Sequence, residues 1–136
     1  MLYQKAFVAG TFDNFHVGHQ YLLYQVSQLA DKFVVVVARD ATVKRIKGRL
    51  PVFSEGQRKQ RIEQEFYSKM KVKLGRSDAD FFQILQEEKP DVLCLGYDQR
   101  FNEKKCQELF PHLKIVRLQP FYPEIFKSSK FLSTTV

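Results

Sequence analysis

Apolar residues in this chain form short runs that alternate with longer segments in which they recur every three or four positions. Continuous apolar runs are typical of parallel strands covered on both faces, and three of them occur, at residues 6–9, 33–38 and 92–95. Two further segments alternate between apolar and polar residues, as half-exposed strands do, at 71–74 and 113–118. The pattern therefore predicts five strands.

Helical periodicity fills most of the intervals between these strands. Apolar residues from Leu22 to Ala30 make one face of a first helix, followed by a short turn at 31–32. Further helices are expected at about 54–67, 78–88 and 101–110, and a loop is expected at 39–49. Strands that alternate with helices form right-handed βαβ units. We therefore predict an α/β fold with a five-stranded, mainly parallel sheet and helices on both faces.

Length and composition indicate one domain in a reducing compartment. A chain of 136 residues has the size of a single domain, and no repeat or linker divides residues 1–136. The two cysteines, Cys94 and Cys106, indicate reduced thiols rather than a disulfide framework. No leader segment is visible, and the first apolar run is too short to cross a bilayer. These features predict a cytoplasmic protein without membrane contact.

The first predicted strand breaks at Gly10, and the first predicted helix opens after His16 and His19. A helix start offers unpaired N–H groups and the positive end of its dipole, which suits a phosphate. Histidines three residues apart share one side of a helical turn and can both donate to phosphate oxygens. There are two alternatives: the histidines are satisfied polar residues at a helix entry, or they are a pair of zinc ligands. Two histidines are too few for zinc, and neither cysteine has ligand spacing, so no metal-ligating residues are predicted.

These residues carry a family signature, Gly10-Thr11-Phe12-Asp13 followed by His16-Val17-Gly18-His19. It resembles the G-T-F-D…H-x-G-H signature of the cytidylyltransferase-like nucleotidyltransferases. The resemblance implies a Rossmann-like fold and transfer of a nucleoside monophosphate from a nucleoside triphosphate, accompanied by Mg²⁺, to a phosphorylated small molecule. Pyrophosphate is released. It implies catalytic roles for both histidines, and nucleotide binding by Gly10, Thr11, Phe12, His16 and His19.

Four cations follow the second predicted strand within six residues, at Lys44, Arg45, Lys47 and Arg49. Ligands of open α/β sheets lie outside the carboxyl ends of the strands, so these cations are placed to neutralise substrate phosphates. A solvated basic loop is an equal alternative on charge alone. The resemblance favours the phosphate role and implies that Lys44 is the catalytic, phosphate-binding lysine. Lys47 is the other candidate for phosphate binding.

Two more candidates follow predicted helix or strand boundaries. Ser54 and Gln57 have capping-box spacing, and the resemblance implies that an arginine near this helix start, Arg58, reaches the nucleotide phosphates. Asp98 follows the 92–95 strand on the ligand side of the sheet. It suits a ribose contact, a metal-bound water or a helix cap, and the sequence leaves these roles open.

The tail contains a Ser128-Ser129-Lys130 triplet. The resemblance implies that Ser128 and Ser129 bind the nucleotide and that Lys130 binds a phosphate at the start of a final helix. Alone, such a triplet is typical of a disordered end. The chain departs from the family pattern at residues 120–123, where some cytidylyltransferases have an arginine, and it stops at Val136.

The acceptor is suggested by further resemblance to the archaeal-type FAD synthases, carried by residues 34–40, 42–43, 47–49, 51, 89–91 and 96–99. It implies ATP and FMN as substrates and FAD as product, although the C-terminal cysteines frequent in those enzymes are missing. The alternative is a CTP-dependent glycerol-3-phosphate or similar polyol-phosphate cytidylyltransferase, with a pantetheine-phosphate adenylyltransferase more distant.

A different class of function is a non-catalytic nucleotide- or RNA-binding module, which the net charge of +7 permits. The thirteen phenylalanines lie mostly at core positions rather than among basic residues on a strand face, so nucleic acid is not the expected partner. Family resemblance also suggests a homodimer, but no apolar stripe in the sequence requires one.

Overall fold

In the computed structural model, which describes residues 2–120, strands and helices alternate along most of the chain. The elements of this part are β1 Tyr3–Gly10, α1 Val17–Leu29, β2 Ala30–Val37, α2 Asp40–Lys47, α3 Glu55–Glu63, β3 Met70–Leu74, α4 Phe81–Glu88, β4 Val92–Leu95, α5 Glu103–Leu109 and β5 Lys114–Arg117. No helix within these residues is long and apolar enough to cross a membrane.

The five strands form one parallel sheet in the order β3-β2-β1-β4-β5. The chain builds outward from β1 to β3 and then crosses back to place β4 beside β1. In open α/β sheets the point where the strand order reverses is the usual ligand site. The predicted α/β, Rossmann-like fold is confirmed, and its switch point lies between the carboxyl ends of β1 and β4.

Alternate residues of the strands pack into two separate cores, one on each face of the sheet. Val8, Val35 and Val37 meet residues of α1 and α3 on one face, including Leu23, Val26 and Ile62. Phe7, Val34 and Val36 meet residues of α4 and α5 on the other, including Ile84, Leu85 and Cys106. Burial on both faces explains the continuous apolar runs of β1, β2 and β4 and fixes the carboxyl edge on which the site is built.

The expected loop at 39–49 is wrong, because residues 40–47 form α2. Asp40 occupies the first turn and cations occupy the last, which complements the helix dipole. The helix ends at Gly48, which has φ +80° and donates its N–H to the Lys44 carbonyl. The basic residues therefore project from a helix that begins at the carboxyl end of β2.

Other boundaries differ by a few residues. α4 begins at Phe81 rather than near 78, because Ala79 has φ +59° and the Asp80 side chain accepts the Gln83 N–H as an N-cap. β2 begins at Ala30, so the expected turn at 31–32 belongs to the strand. α3 ends at Glu63 and α5 begins at Glu103, both inside their expected spans. None of these shifts changes the order of the elements.

Candidate active site at the carboxyl edge of the sheet

His16 and His19 form a stacked pair at the start of α1. Their ring centroids lie 3.9 Å apart, with 27° between the planes. His16 is the N-cap, and its Nδ1 accepts the Gly18 N–H at 3.0 Å. His19 Nδ1 accepts the His16 N–H at 3.2 Å. A neutral imidazole that accepts at Nδ1 carries its proton on Nε2, so both rings are set to donate from the nitrogen that the backbone does not use.

His19 is held as the neutral form. Burial, together with the charge of His16, lowers the pKa of His19 to about 4. The ring stacks on Phe15, with centroids 5.4 Å apart and 23° between the planes, and meets the edge of Phe12 at the same centroid distance. At neutral pH this residue is therefore an N–H donor and not a cation.

Gly10 and Phe12 are fitted to each other beneath His19. Phe12 is buried and has φ +53°, a conformation that costs a non-glycine residue energy and is concentrated at functional sites. A Cβ added at Gly10 would lie 3.1 Å from Phe12 Cε2 and 3.2 Å from Cζ. A side chain at position 10 would therefore need the Phe12 ring to shift by a few tenths of an ångström, and Phe12 in turn contacts the His19 ring.

Asp13 anchors a second segment to this turn. Its carboxylate accepts the Val52 N–H at 2.7 Å and the Phe53 N–H at 3.0 Å. Burial opposes ionisation, but these amides and the nearby charge of Arg58 outweigh it and hold the pKa of Asp13 below its usual value. Apart from its place in the signature, Asp13 could not be singled out from the sequence, because its partners are about forty residues away.

Arg58, expected to reach phosphates, lies inside the protein and is bound to protein acceptors. Its side chain is 1% exposed and pairs with Asp40 at 2.7 Å. Nη1 also donates to the Thr11 carbonyl at 2.8 Å, and Nε donates to the Phe53 carbonyl at 3.0 Å. The guanidinium thus joins the turn after β1, the start of α2 and the segment before α3.

Lys44 and Lys47, by contrast, are exposed on α2. They lie three residues apart and so share one side of the helix. Asp40 fixes the first turn of this helix through Arg58, and the Glu55 carboxylate accepts the Asp40 N–H at 2.8 Å. The helix start is therefore held firmly while the lysines keep free access to solvent.

The end of β4 forms the other side of the switch point. Residues 96–99 make a turn in which Asp98 is exposed, and the Gly96 N–H donates to the Gln99 side chain at 3.2 Å. Arg117 binds the carbonyls of Gly96 and Gln99 and pairs with Glu103 at 2.8 Å. Sequence reasoning missed this role of Arg117 in holding the turn, and its place at the end of an alternating strand is the one available signal.

Two cavities open at this edge of the sheet. One, of about 330 Å³, is lined by Phe12, Asn14, Phe15, Phe53, Gln57, Arg58 and Arg61. Its rim includes the Arg61 guanidinium, which lies 4.7 Å above the Phe15 ring. The other, of about 100 Å³, has an apolar floor that includes Ala9, Val36, Phe81 and Ile84, and Arg39 and Arg76 also line it. Gly10 borders this smaller cavity.

Within residues 2–120 no three His, Cys, Asp or Glu side chains are grouped to hold a metal ion. The carboxylate of Asp13 is already bound to two amides. Ser128, Ser129 and Lys130 lie outside the described residues.

Comparison with known proteins agrees with the signature. A family model described as cytidylyltransferase-like matches residues 7–136. The chain is 36% identical over 121 residues to a protein named FAD synthase from Aciduliprofundum boonei, covering 86% of this chain and 79% of the relative. It is 37% identical over 133 residues to one of the same name from Thermoplasma volcanium, covering 92% and 89%.

A solved structure is also similar to this chain in fold and sequence. The crystal structure of a protein named as the lipopolysaccharide core biosynthesis protein of Thermoplasma volcanium has a TM-score of 0.80 and 35% identity, over 88% of this chain and 99% of that chain. The resemblance to these nucleotidyltransferases is thus confirmed, and nucleotidyltransferases of this kind generally use a divalent metal ion. The chain belongs to the cytidylyltransferase-like family and is a nucleotidyltransferase.

Proposed function

We propose that this enzyme transfers the adenylyl group of ATP to FMN and forms FAD and pyrophosphate. The observation that carries the proposal is the stacked pair of imidazoles at the first turn of α1, each with Nδ1 bonded to the backbone. The names of the relatives from Aciduliprofundum boonei and Thermoplasma volcanium support the choice of FMN as acceptor.

The reaction is a direct displacement at the α-phosphorus. An oxygen of the FMN phosphate forms a bond to this phosphorus, and the bond to the bridging oxygen breaks and releases pyrophosphate. An anionic phosphate is already a competent nucleophile, so the enzyme positions the reactants and stabilises charge, without a covalent intermediate. The Nε2–H groups of His16 and His19 donate to the α-phosphate and leaving oxygens, where negative charge increases.

The remaining groups hold the two substrates. Lys44 binds the acceptor phosphate or the triphosphate, and Lys47 adds positive charge from the same side of α2. Gly10, Thr11 and Phe12 form the floor beneath the α-phosphate, and Asp98 binds the ribose. By the family resemblance, Ser128, Ser129 and Lys130 hold the β- and γ-phosphates. Mg²⁺ enters with ATP as part of the substrate.

We place the acceptor in the smaller cavity. It lies at the carboxyl ends of β1 to β3 and borders Gly10, and Arg39 and Arg76 line it beside an apolar floor. The apolar part of the lining suits a planar ring. Arg39 is already paired with Glu55, and Arg76 with Asp78 and Glu87, so these guanidinium groups border the cavity as ion-paired groups. A volume of about 100 Å³ holds part of such a ring and leaves the rest at the surface.

The second candidate is transfer of a cytidylyl group to a sugar or polyol phosphate. It is favoured by the name of the structural relative from Thermoplasma volcanium, which refers to lipopolysaccharide core biosynthesis. The two unpaired cysteines, Cys94 and Cys106, accord with a cytoplasmic enzyme in either case. A homodimer, which the family resemblance suggests, is tested by light scattering on the purified protein.

Pyrophosphate release separates these functions. The purified protein is incubated with Mg²⁺ and either ATP or CTP, together with FMN, glycerol 3-phosphate, a sugar 1-phosphate or 4′-phosphopantetheine. We expect release with ATP and FMN, with FAD formed in equal amount by chromatography. Faster release with CTP and a sugar or polyol phosphate would support the second candidate and contradict the first.

A further inference from the structure

The largest fully buried side chain of the described residues is a charged one, Arg58. Burying a guanidinium is costly unless it is paired and its N–H groups are bonded. Each of its three nitrogens donates to a protein oxygen, and one of the three acceptors is the carboxylate of Asp40. Each nitrogen of this buried charge is thus bonded to the protein at least once, which indicates a specific structural task.

The three acceptors of Arg58 belong to three segments that carry the site. The Thr11 carbonyl lies in the turn that leads to the histidines, Asp40 begins the lysine-bearing helix α2, and the Phe53 carbonyl precedes α3. Residues 52–53 are also held from the other side, because Asp13 accepts both of their amides. Arg58 and Asp13 together clamp residues 52–53 to the turn that follows β1.

The clamp reaches His19 through packing. Fixing the Thr11 carbonyl fixes the peptide plane next to Phe12, the residue with φ +53°. The Phe12 ring in turn contacts the His19 ring in an edge-to-face arrangement, with the centroids 5.4 Å apart. On the other side, the ion pair with Asp40 fixes the first turn of α2, one turn before Lys44. The position of His19 and the position of Lys44 thus both depend on the guanidinium of Arg58.

We propose that Arg58 is a positioning residue that sets His19 and Lys44 relative to each other through Thr11 and Asp40, and that it does not touch a phosphate. This departs from the role that family resemblance implies for it. Although Arg58 also lines the cavity of about 330 Å³, its side chain is 1% exposed and each of its nitrogens is already bonded to a protein acceptor. The proposal rests on the proposed function only for the identity of the reaction that it supports.

The test compares Arg58→Lys with Lys59→Gln, which changes a partly exposed, ion-paired residue of the same helix. A lysine keeps the charge but cannot bond three acceptors in a fixed fork. We expect kcat for pyrophosphate release to fall on the order of 10²-fold, the effect of a small misplacement of reacting groups. KM for ATP and ATP binding by calorimetry without acceptor stay as in the wild type, and Lys59→Gln changes none of these.

A spectroscopic readout keeps this test independent of the acceptor. In protein with ¹⁵N-labelled histidine, Arg58→Lys is expected to shift the His19 ring resonances, and Lys59→Gln is expected to leave them unchanged. Asp40→Asn, which weakens the same pair from its other end, should shift the same resonances. The double variant should lose little more kcat than either single one, because the two residues act as a unit.

Three results would overturn the proposal. Weaker ATP binding with unchanged histidine resonances would make Arg58 a phosphate ligand. A lower melting temperature with unchanged kcat and resonances would leave it a purely structural residue. Additive losses in the double variant would separate Arg58 from Asp40. If wild-type protein forms no FAD, the proposed function fails, while ATP binding and the ring resonances still decide the role of Arg58.

Discussion

His19 stacks on His16 with the ring centroids 3.9 Å apart, and Nδ1 of each ring accepts a hydrogen bond from a backbone N–H at the first turn of α1. The arrangement leaves two Nε2–H donors side by side at the positive end of a helix. Two donors so close together suit two oxygens of one phosphate chain. This relationship underlies the proposed reaction.

Removing either imidazole should slow turnover with little loss of fold. We expect His16→Ala or His19→Ala to lower kcat for pyrophosphate release by on the order of 10²–10³, as for one preorganised donor. His16→Ala also removes an N-cap and should cost about 1 kcal/mol in the free energy of unfolding. The control is His112→Ala, an exposed histidine just before β5 at the opposite edge of the sheet. A folded His16 or His19 variant with wild-type kcat would contradict the donor role.

Stability should depend on pH through His19. Its pKa is about 4 in the folded protein and 6.5 in an unfolded chain. Between these values the unfolded chain binds a proton that the folded chain does not, so the free energy of unfolding falls as the pH drops from 6.5 to 4. Urea unfolding at pH 7 and pH 5 measures this, with His19→Gln as the variant that lacks it. Equal pH dependence in both proteins would exclude the effect.

Gly10→Ala should disturb the site through Phe12. The new Cβ would lie 3.1 Å from Cε2 of a buried ring, and overpacking of this kind costs about 1–3 kcal/mol. Because the displaced ring contacts His19, kcat should fall as well. Gly56→Ala is the matched control, since a Cβ there meets nothing within 4 Å and the residue lies in α3. Unchanged activity in a stable Gly10→Ala protein would show that the ring adjusts without consequence.

Far from the site, Glu88 should stabilise the fold. Its side chain is 6% exposed and pairs with Lys5, Lys71 and Lys73 at 3.0, 2.7 and 2.8 Å. Burial works against ionisation, but the three ammonium groups outweigh it and lower the pKa of Glu88 to about 2. This stabilisation is complete above pH 4.5 and is lost as the pH falls toward 2.

Glu88→Gln should accordingly cost on the order of 2 kcal/mol at pH 7, the scale of hydrogen bonds to charged groups. Chemical unfolding measures the loss, with activity unchanged because this cluster lies at the amino edge of the sheet. The neighbouring Glu87→Gln provides the comparison, since Glu87 forms an exposed pair with Arg76 and such pairs contribute about 0–1 kcal/mol. Equal losses in the two variants would argue against a special role for the buried carboxylate.

Local patterns predicted much of this architecture. All five strands lie where apolar runs or alternation occur. The strand, turn and helix around Gly10 and His16 follow from the apolar run, the glycine and the helical periodicity in the sequence. The helix α2 was not predicted, because it is short and contributes little to the core: it buries only Val43 and leaves Ile46 71% exposed. It is stabilised instead by its C-cap at Gly48 and by the ion pair between Asp40 and Arg58.

The hydrogen bonds that support the site could not be predicted from local sequence patterns, because they join residues that lie far apart in the chain. Arg58 bonds Thr11 across 47 positions, and Asp13 bonds Val52 across 39. A sequence shows which side chains can pair but not which distant carbonyl or amide the fold brings to them. The residues of the signature were recognisable because they lie close together in the sequence, whereas the bonds that Thr11 and Asp13 form with distant segments were not.

The measurement that tests the central claim most directly is a crystal structure with Mg²⁺ and a non-hydrolysable ATP analogue. We predict that Nε2 of His16 and Nε2 of His19 each lie about 3 Å from a phosphate oxygen, above the first turn of α1. A triphosphate bound elsewhere, with both rings in contact only with protein, would contradict the account.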